Sequence, residues 1–245
     1  MVGFETGTIY PTSKWGDVRI LKYTNHKNVL VEFLETGYQR TARSELILRG
    51  ICEDITQPSV FNKGIFGEGP YSKKTHLKEY QLWMGLINRT YCGDFHVKYP
   101  TCVGTTVSEN WHNFQEFAEW CQWQKGFKNT QWELDKDLLS FNSKVYSSET
   151  CCFIPKALNI ALQINCSRDI LPGVYKTDSG YRVTIGSGCT KESKRFKCEV
   201  DAFMWYYEKK DRLMKQYAYE YANELDERAL DCLLNFKTIE RLSVG

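Results

Sequence analysis

The sequence predicts an α+β chain made of small modules, on three observations. Residues 1–55 carry β-branched runs with partial two-residue alternation, the period of strands. Residues 76–91 and 109–122 place apolar side chains three to four apart, the period of helices. Residues 132–164 and 173–245 each read as strand, turn and strand followed by helix. The architecture expected from these patterns is a small N-terminal β module over 1–55, a linker or ordered irregular loop over 56–72, and a central helical module over 73–168. A C-terminal module over 169–245 completes the chain, with a three-stranded antiparallel sheet backed by helices.

Each element has its own signal. In the first module, strands are expected over 17–23 and 29–34. The cluster Asn25-His26-Lys27-Asn28 turns the chain between them, and Thr36-Gly37-Tyr38 forms a second turn. The stretch 56–72 is rich in Gly and Pro. Its Lys63-Gly64 pair and its glycines Gly67 and Gly69 lack the strand-then-helix setting and the Gly-Lys-Ser/Thr ending of a phosphate loop, which excludes that reading. A helix is expected over 76–91, with Leu77, Tyr80, Trp83 or Met84, Ile87 and Tyr91 on one face. A second is expected over 109–122, with Trp111, Phe114, Ala118 and Cys121 as its stripe and Ser108 as N-cap. Further on, a strand over 134–138, a turn at Asn142-Ser143 and a strand over 152–154 lead into a helix with Pro155 at its first position. In the last module, a hairpin turns at Asp178-Ser179-Gly180 between strands over 173–176 and 181–185. A third strand is expected over 194–197, then a long helix over 199–223 with Val200, Phe203, Tyr207, Met214 and Ala218 inward, and a final helix over 226–236.

Composition bounds the function classes. The chain has 245 residues, 42% hydrophobic and 25% charged, ordinary for a folded protein of one large or two to three small domains. Aromatic residues make up 14%, a share that small modules use to anchor thin cores. The net charge of +2 does not announce a nucleic-acid binder, nor exclude one, because charge can be gathered on one face. None of the ten cysteines forms a CxxC pair, so zinc-ribbon and finger spacings are absent. The opening MVGFETGTIY has no basic-then-apolar signal pattern, and no apolar run reaches membrane-span length. The expectation is a cytoplasmic protein with no membrane partner, whose thiols are reduced and mostly buried as small hydrophobes.

Residues 134–159, LDKDLLSFNSKVYSSETCCFIPKALN, resemble the ββα-metal core of HNH nucleases of the phage homing type. The resemblance implies a nuclease site in which Asp135 and Asn159 hold one divalent ion, Mg²⁺ or Mn²⁺, with Asn142 as the turn residue. The family's catalytic histidine position is Lys136, and His26, His76, His96 and His112 all lie outside the segment. Making a lysine the base near pH 7 requires a shift of about three pH units, or about 4 kcal/mol. Lys136 is therefore expected to grip a phosphate. Residues 171–236 resemble the ethylene-response-factor (AP-two) DNA-binding domain of phage homing proteins, through Leu171-Pro172-Gly173-Val174-Tyr175, the run from Gly180 to Ile185, Phe196, and the helix start Glu199-Val200-Asp201-Ala202-Phe203. That domain lays its sheet in the major groove of double-stranded DNA.

Strand alternation then turns Tyr181, Val183 and Ile185 to the helix, and Arg182 and Thr184 outward. Arg182 is the candidate base reader, since a guanidinium can bind guanine with two hydrogen bonds. Lys176, Lys194 and Lys197 are candidates to join this face, and Arg195 adds charge where the family has glycine. Together the resemblances imply a DNA-binding protein related to phage HNH homing endonucleases, at work in the cytoplasm of an infected bacterium. It would be a metal-dependent nuclease, or an inactive descendant acting as a DNA-binding regulator or as an accessory protein that binds a host nucleic-acid or protein complex. A third, purely protein-binding expectation rests on the near-neutral charge alone.

Overall fold

A computed structural model describes residues 4–164, 169–186 and 191–242. Cys166 and Cys189, and the reading of those two thiols as buried, lie outside the described residues. The chain is α+β. It divides into two compact units, one running to Val103 together with Glu109–Glu119, the other comprising Gly104–Ser108 and the chain from Trp120 onward.

In the first unit, β1 (Ile9–Pro11), β2 (Asp17–Asn25), β3 (Asn28–Phe33) and β4 (Gln39–Ala42) form an antiparallel sheet in sequence order. Alternation sends Val18, Ile20, Val29, Val31 and Phe33 to one side, where they are fully buried with Ile47 of α1 (Ser44–Leu48) and Trp15 beside them. The edge strands β1 and β4, of three and four residues, are too short to show a period. The 56–72 stretch is an ordered irregular loop. Within it β5 (Pro58–Val60) pairs with β6 (Gly64–Ile65), and Gln115 pins the chain beyond that pair. The Gln115 side chain accepts from the Tyr71 amide and donates to the carbonyls of Phe66 and Tyr71. Gly67, at φ +73°, lies so close to Asn113 that a Cβ would collide with its Oδ1.

Helix α2 (Leu77–Tyr91) buries Trp83, Leu86 and Ile87 but leaves Leu77 exposed, and α3 (Gly93–Lys98) comes next in the chain. The helix expected over 109–122 is two, α4 (Glu109–His112) and α5 (Phe114–Trp123). Asn113 breaks it: its Oδ1 accepts from the Gln115 amide, a capping bond inside an apolar stripe. The Trp83 indole donates to the Trp111 carbonyl at 2.9 Å, and the rings of Phe66, Tyr80, Trp83 and Phe114 pack together.

The second unit opens with β7 (Thr106–Val107), parallel to β9 (Val145–Tyr146), a pairing too short to leave a period. In a separate pair, β8 (Trp132–Asp135) lies antiparallel to β10 (Cys152–Pro155), which leads into α6 (Lys156–Leu162). Strand β8 thus ends three residues before the expected 138, because the Asp135 carboxylate accepts from the Leu138 amide and turns the chain. Pro155 occupies the N-cap of α6 rather than its first turn. The C-terminal sheet, β11 (Val174–Thr177), β12 (Gly180–Ile185) and β13 (Glu192–Phe196), is antiparallel in that order. Behind it runs α7 (Glu199–Glu220), and then come α8 (Glu227–Leu234) and α9 (Thr238–Leu242).

The inward stripe of α7 is Ala202, Tyr206, Lys210, Met214 and Ala218; Met214 and Ala218 are as expected, while the first half of the stripe is displaced. Val200 is exposed, while Phe203 and Tyr207 are half-buried. Lys210, a charged residue on the buried stripe, interrupts the apolar period there. Gly173, at φ +74°, lets the Tyr206 ring lie against the backbone, where a Cβ would collide with the ring. Among the described residues no helix is long and apolar enough to cross a membrane.

Candidate nucleic-acid interface

The sheet of the second unit has two chemically distinct faces. Val174 pairs with Val183, and both are buried, with Ile185, against Ala202 and Tyr206 of α7. Burying each such aliphatic side chain contributes about 1.5–3 kcal/mol, so this face sets the orientation of the whole sheet. The opposite face carries the cross-strand row Tyr175–Arg182–Arg195 and, beside it, Thr184 opposite Ser193. Arg182, Arg195 and Ser193 are exposed, and the Thr184 and Ser193 hydroxyls lie 3.1 Å apart. The two guanidinium groups share neighbouring positions on adjacent strands, an arrangement of like charges that destabilises a sheet. Among the described residues neither forms an ion pair.

The register alters part of the expectation. Lys176 pairs with Tyr181, and Lys194 with Val183, so both leave their strands on the helix-facing side. Each is exposed because β11 and β13 are the edges of the sheet, and the Lys194 ammonium lies 5.2 Å from the Phe196 ring centre. They flank the outer face rather than standing on it. Lys197 is exposed in the turn between β13 and α7. Arg195 does stand on the outer face, directly across from Arg182.

The strand–turn–strand–helix centre is arranged differently from the expected metal site. Asp135 is 6% exposed, and its Oδ2 accepts from the Leu138 amide at 2.7 Å. Burial pushes its pKa up to about 6, against the opposing pull of that hydrogen bond. Asn159 on α6 donates from Nδ2 to Glu133 Oε2 at 3.0 Å, and the Lys156 ammonium lies 3.9 Å from the other oxygen of Glu133. The Lys136 side chain, 12% exposed, is held by the Asp137 carboxylate and lies 5.7 Å from the Tyr146 ring centre. Asn142 sits at φ +63°, a left-handed turn position that Asn tolerates.

Asp135 and Asn159 therefore have separate partners. A divalent ion needs oxygen donors that converge on one point, at least one of them an ionised carboxylate. Here one donor is a buried carboxyl with a raised pKa, and the other is an amide turned to a carboxylate that already faces a lysine. As placed, this pair does not fit Mg²⁺ or Mn²⁺. Among the described residues no three His, Cys, Asp or Glu side chains gather into a metal-holding group. The thiols of Cys151 and Cys152 beside Asp135 are buried, and burial raises the pKa of both, Cys151 to about 12.

Three basic residues to which the sequence assigned no site role make contacts between elements of this unit. Lys210, 3% exposed, donates to the carbonyls of Ala161 and Gln163 at the end of α6, where a cation favours the helix dipole. Burial nevertheless lowers its pKa to about 8. Arg228 of α8 donates to the carbonyls of Ser148 and Glu149. Arg241 of α9 donates to those of Asp137 and Leu138, at 2.8 and 2.6 Å. Composition gave no signal for them, since residues 169–245 hold 13 basic and 13 acidic residues. No family model, curated protein or solved structure matches the chain.

Proposed function

We propose that this chain binds double-stranded DNA through the outer face of the β11–β13 sheet and acts by occupying its site. The observation that carries this reading is the cross-strand pair Arg182 and Arg195. It is exposed and free of ion pairs among the described residues, and it is unfavourable until an anion arrives. The linked hydroxyls of Thr184 and Ser193 add polar groups beside it, while Lys176, Lys194 and Lys197 rim the sheet for phosphate contacts. The β8–β10–α6 centre serves as a frame. Lys136 is tied to Asp137, and Asp135 and Asn159 are engaged elsewhere, so no poised base or metal pair is built there. On this reading the protein is a non-cleaving relative of phage HNH homing endonucleases, active in the cytoplasm of an infected bacterium. It acts as a regulator, or as an accessory protein that blocks access of a host complex to DNA.

The test is supercoiled plasmid incubated with Mg²⁺ or Mn²⁺ beside an Asp135→Ala variant, together with gel-shift binding of a selected duplex pool. Binding without nicking is expected. Arg182→Ala is expected to relax sequence preference, at about 1–3 kcal/mol for the base it reads. Nicking by the parent that Asp135→Ala abolishes would overturn the occupancy reading in favour of a metal-dependent nuclease. Equal losses on every sequence would remove the base-reading role from Arg182.

A further inference from the structure

The first unit holds a cleft of about 680 Å³ that the DNA-binding reading does not use. Trp15, Val60 and Phe66 form part of its apolar floor, and Lys14, Arg40 and Lys73 stand around it. Among the described residues none of these cations is in an ion pair. Each is positioned by a neutral group instead. The Lys14 ammonium donates to the Ser59 carbonyl at 3.2 Å and lies 4.8 Å from the Trp15 ring centre. Arg40 donates to the Glu53 carbonyl at 2.8 Å. The Lys73 ammonium lies 5.4 and 5.1 Å from the Phe66 and Tyr80 ring centres.

Two carboxylates also line the cleft, and they differ. Asp54 is fully buried, with Oδ1 taken by the amide and hydroxyl of Thr56 and Oδ2 by Thr36 and Gln57. Its lone pairs are occupied within the unit. Glu53 is exposed, and with the ionised Asp54 it sets two negative charges against three positive ones, a net positive cleft.

We infer that this cleft binds a nucleotide phosphate. The three cations take the phosphate oxygens through charge-assisted hydrogen bonds, and the base lies on the aromatic floor. The volume is within the range of small-ligand sites, roughly 300–1,000 Å³. A free nucleotide and a single-stranded nucleic acid present the same chemistry, and the experiment separates them.

The full chain is titrated calorimetrically at low salt with ATP, with tripolyphosphate and with a ten-residue oligothymidylate. ATP or the oligothymidylate is expected to bind, whichever is tighter identifying the source of the phosphate. Tripolyphosphate is expected to bind more weakly than ATP for want of a base. The double variant Lys14→Gln/Lys73→Gln keeps the Arg40–Glu53 contact and is expected to lose about tenfold or more in affinity with an unchanged circular dichroism spectrum. Adding Arg40→Gln is expected to abolish binding. No binding of either nucleotide probe, or equal affinity in the parent and the folded double variant, would overturn the site. Equal binding of ATP and tripolyphosphate would overturn the stacking of the base. Arg182→Ala is expected to leave ATP binding unchanged, so this site and the DNA-reading sheet stand or fall separately.

Discussion

At Asp135, burial on one side and backbone hydrogen bonds from Leu138 and Asp137 on the other pull in opposite directions. The carboxyl has a folded-state pKa of about 6, raised from the ordinary value near 3.8. The folded state therefore holds the proton more tightly than the unfolded chain. Stability contributed by this group is present below pH 3.8 and is lost as pH rises through 6. Above that window the ionised, buried carboxylate costs up to about 3 kcal/mol. Asparagine keeps the oxygen that accepts from the Leu138 amide and removes the charge. Asp135→Asn is accordingly expected to be more stable than the parent by about 1–2 kcal/mol at pH 7.5, with the difference shrinking toward zero by pH 4. Urea unfolding at the two pH values measures it; a less stable variant, or a pH-independent difference, would refute the account. The sequence reading singled out Asp135 for its place in a motif and passed over Glu133. Glu133 lies on the same strand, and only the packing of α6 against β8 brings it to Asn159.

Among the elements, the short C-terminal helices are the least legible and the most consequential for the centre. Helix α8 is capped by Asp226, which accepts from the Arg228 amide, and it sends the Arg228 side chain to the loop before β10. Helix α9 has five residues, too few to show a stripe, yet Thr238 is fully buried and bonded to Asp211 of α7. Its Arg241 guanidinium holds two carbonyls after β8 and lies against the Phe141 and Phe236 rings, at 5.2 and 4.7 Å. Replacing Arg241 by alanine leaves those carbonyls without their donor, a loss of about 1–3 kcal/mol. Hydrogen exchange is expected to accelerate over residues 136–144 while β11–β13 keep their protection. Acceleration spread evenly along the chain would mean that Arg241 supports the unit globally rather than that loop.

For the whole molecule, charge is informative by place rather than by sum. The net charge is only +2, yet Lys176, Arg182, Lys191, Lys194, Arg195 and Lys197 stand on or beside one small sheet with Asp178 and Glu192 as its acidic neighbours. If that sheet meets the DNA backbone, affinity must fall with salt by a slope of about −0.9 per phosphate neutralised. Three or more contacts are expected. Lys176→Gln, Lys194→Gln and Lys197→Gln are each expected to flatten the slope by about one without changing sequence preference. Fluorescence anisotropy across a salt series from roughly 50 to 300 mM decides this; affinity indifferent to salt would favour the protein-binding reading.

Local chemistry was sufficient for the α+β class, for the strands that bury Val18, Ile20, Val29 and Val31, and for the hairpin at Asp178-Ser179-Gly180. In each case a short-range period or turn residue reports a burial decision directly. Tertiary structure alone decided which residues meet. It split the helix at Asn113, set Lys210 on the buried stripe of α7, turned Lys176 and Lys194 to the helix side, and gave Asp135 and Asn159 different partners. Those outcomes depend on strand register and on contacts between residues distant in the chain, which a local pattern does not encode.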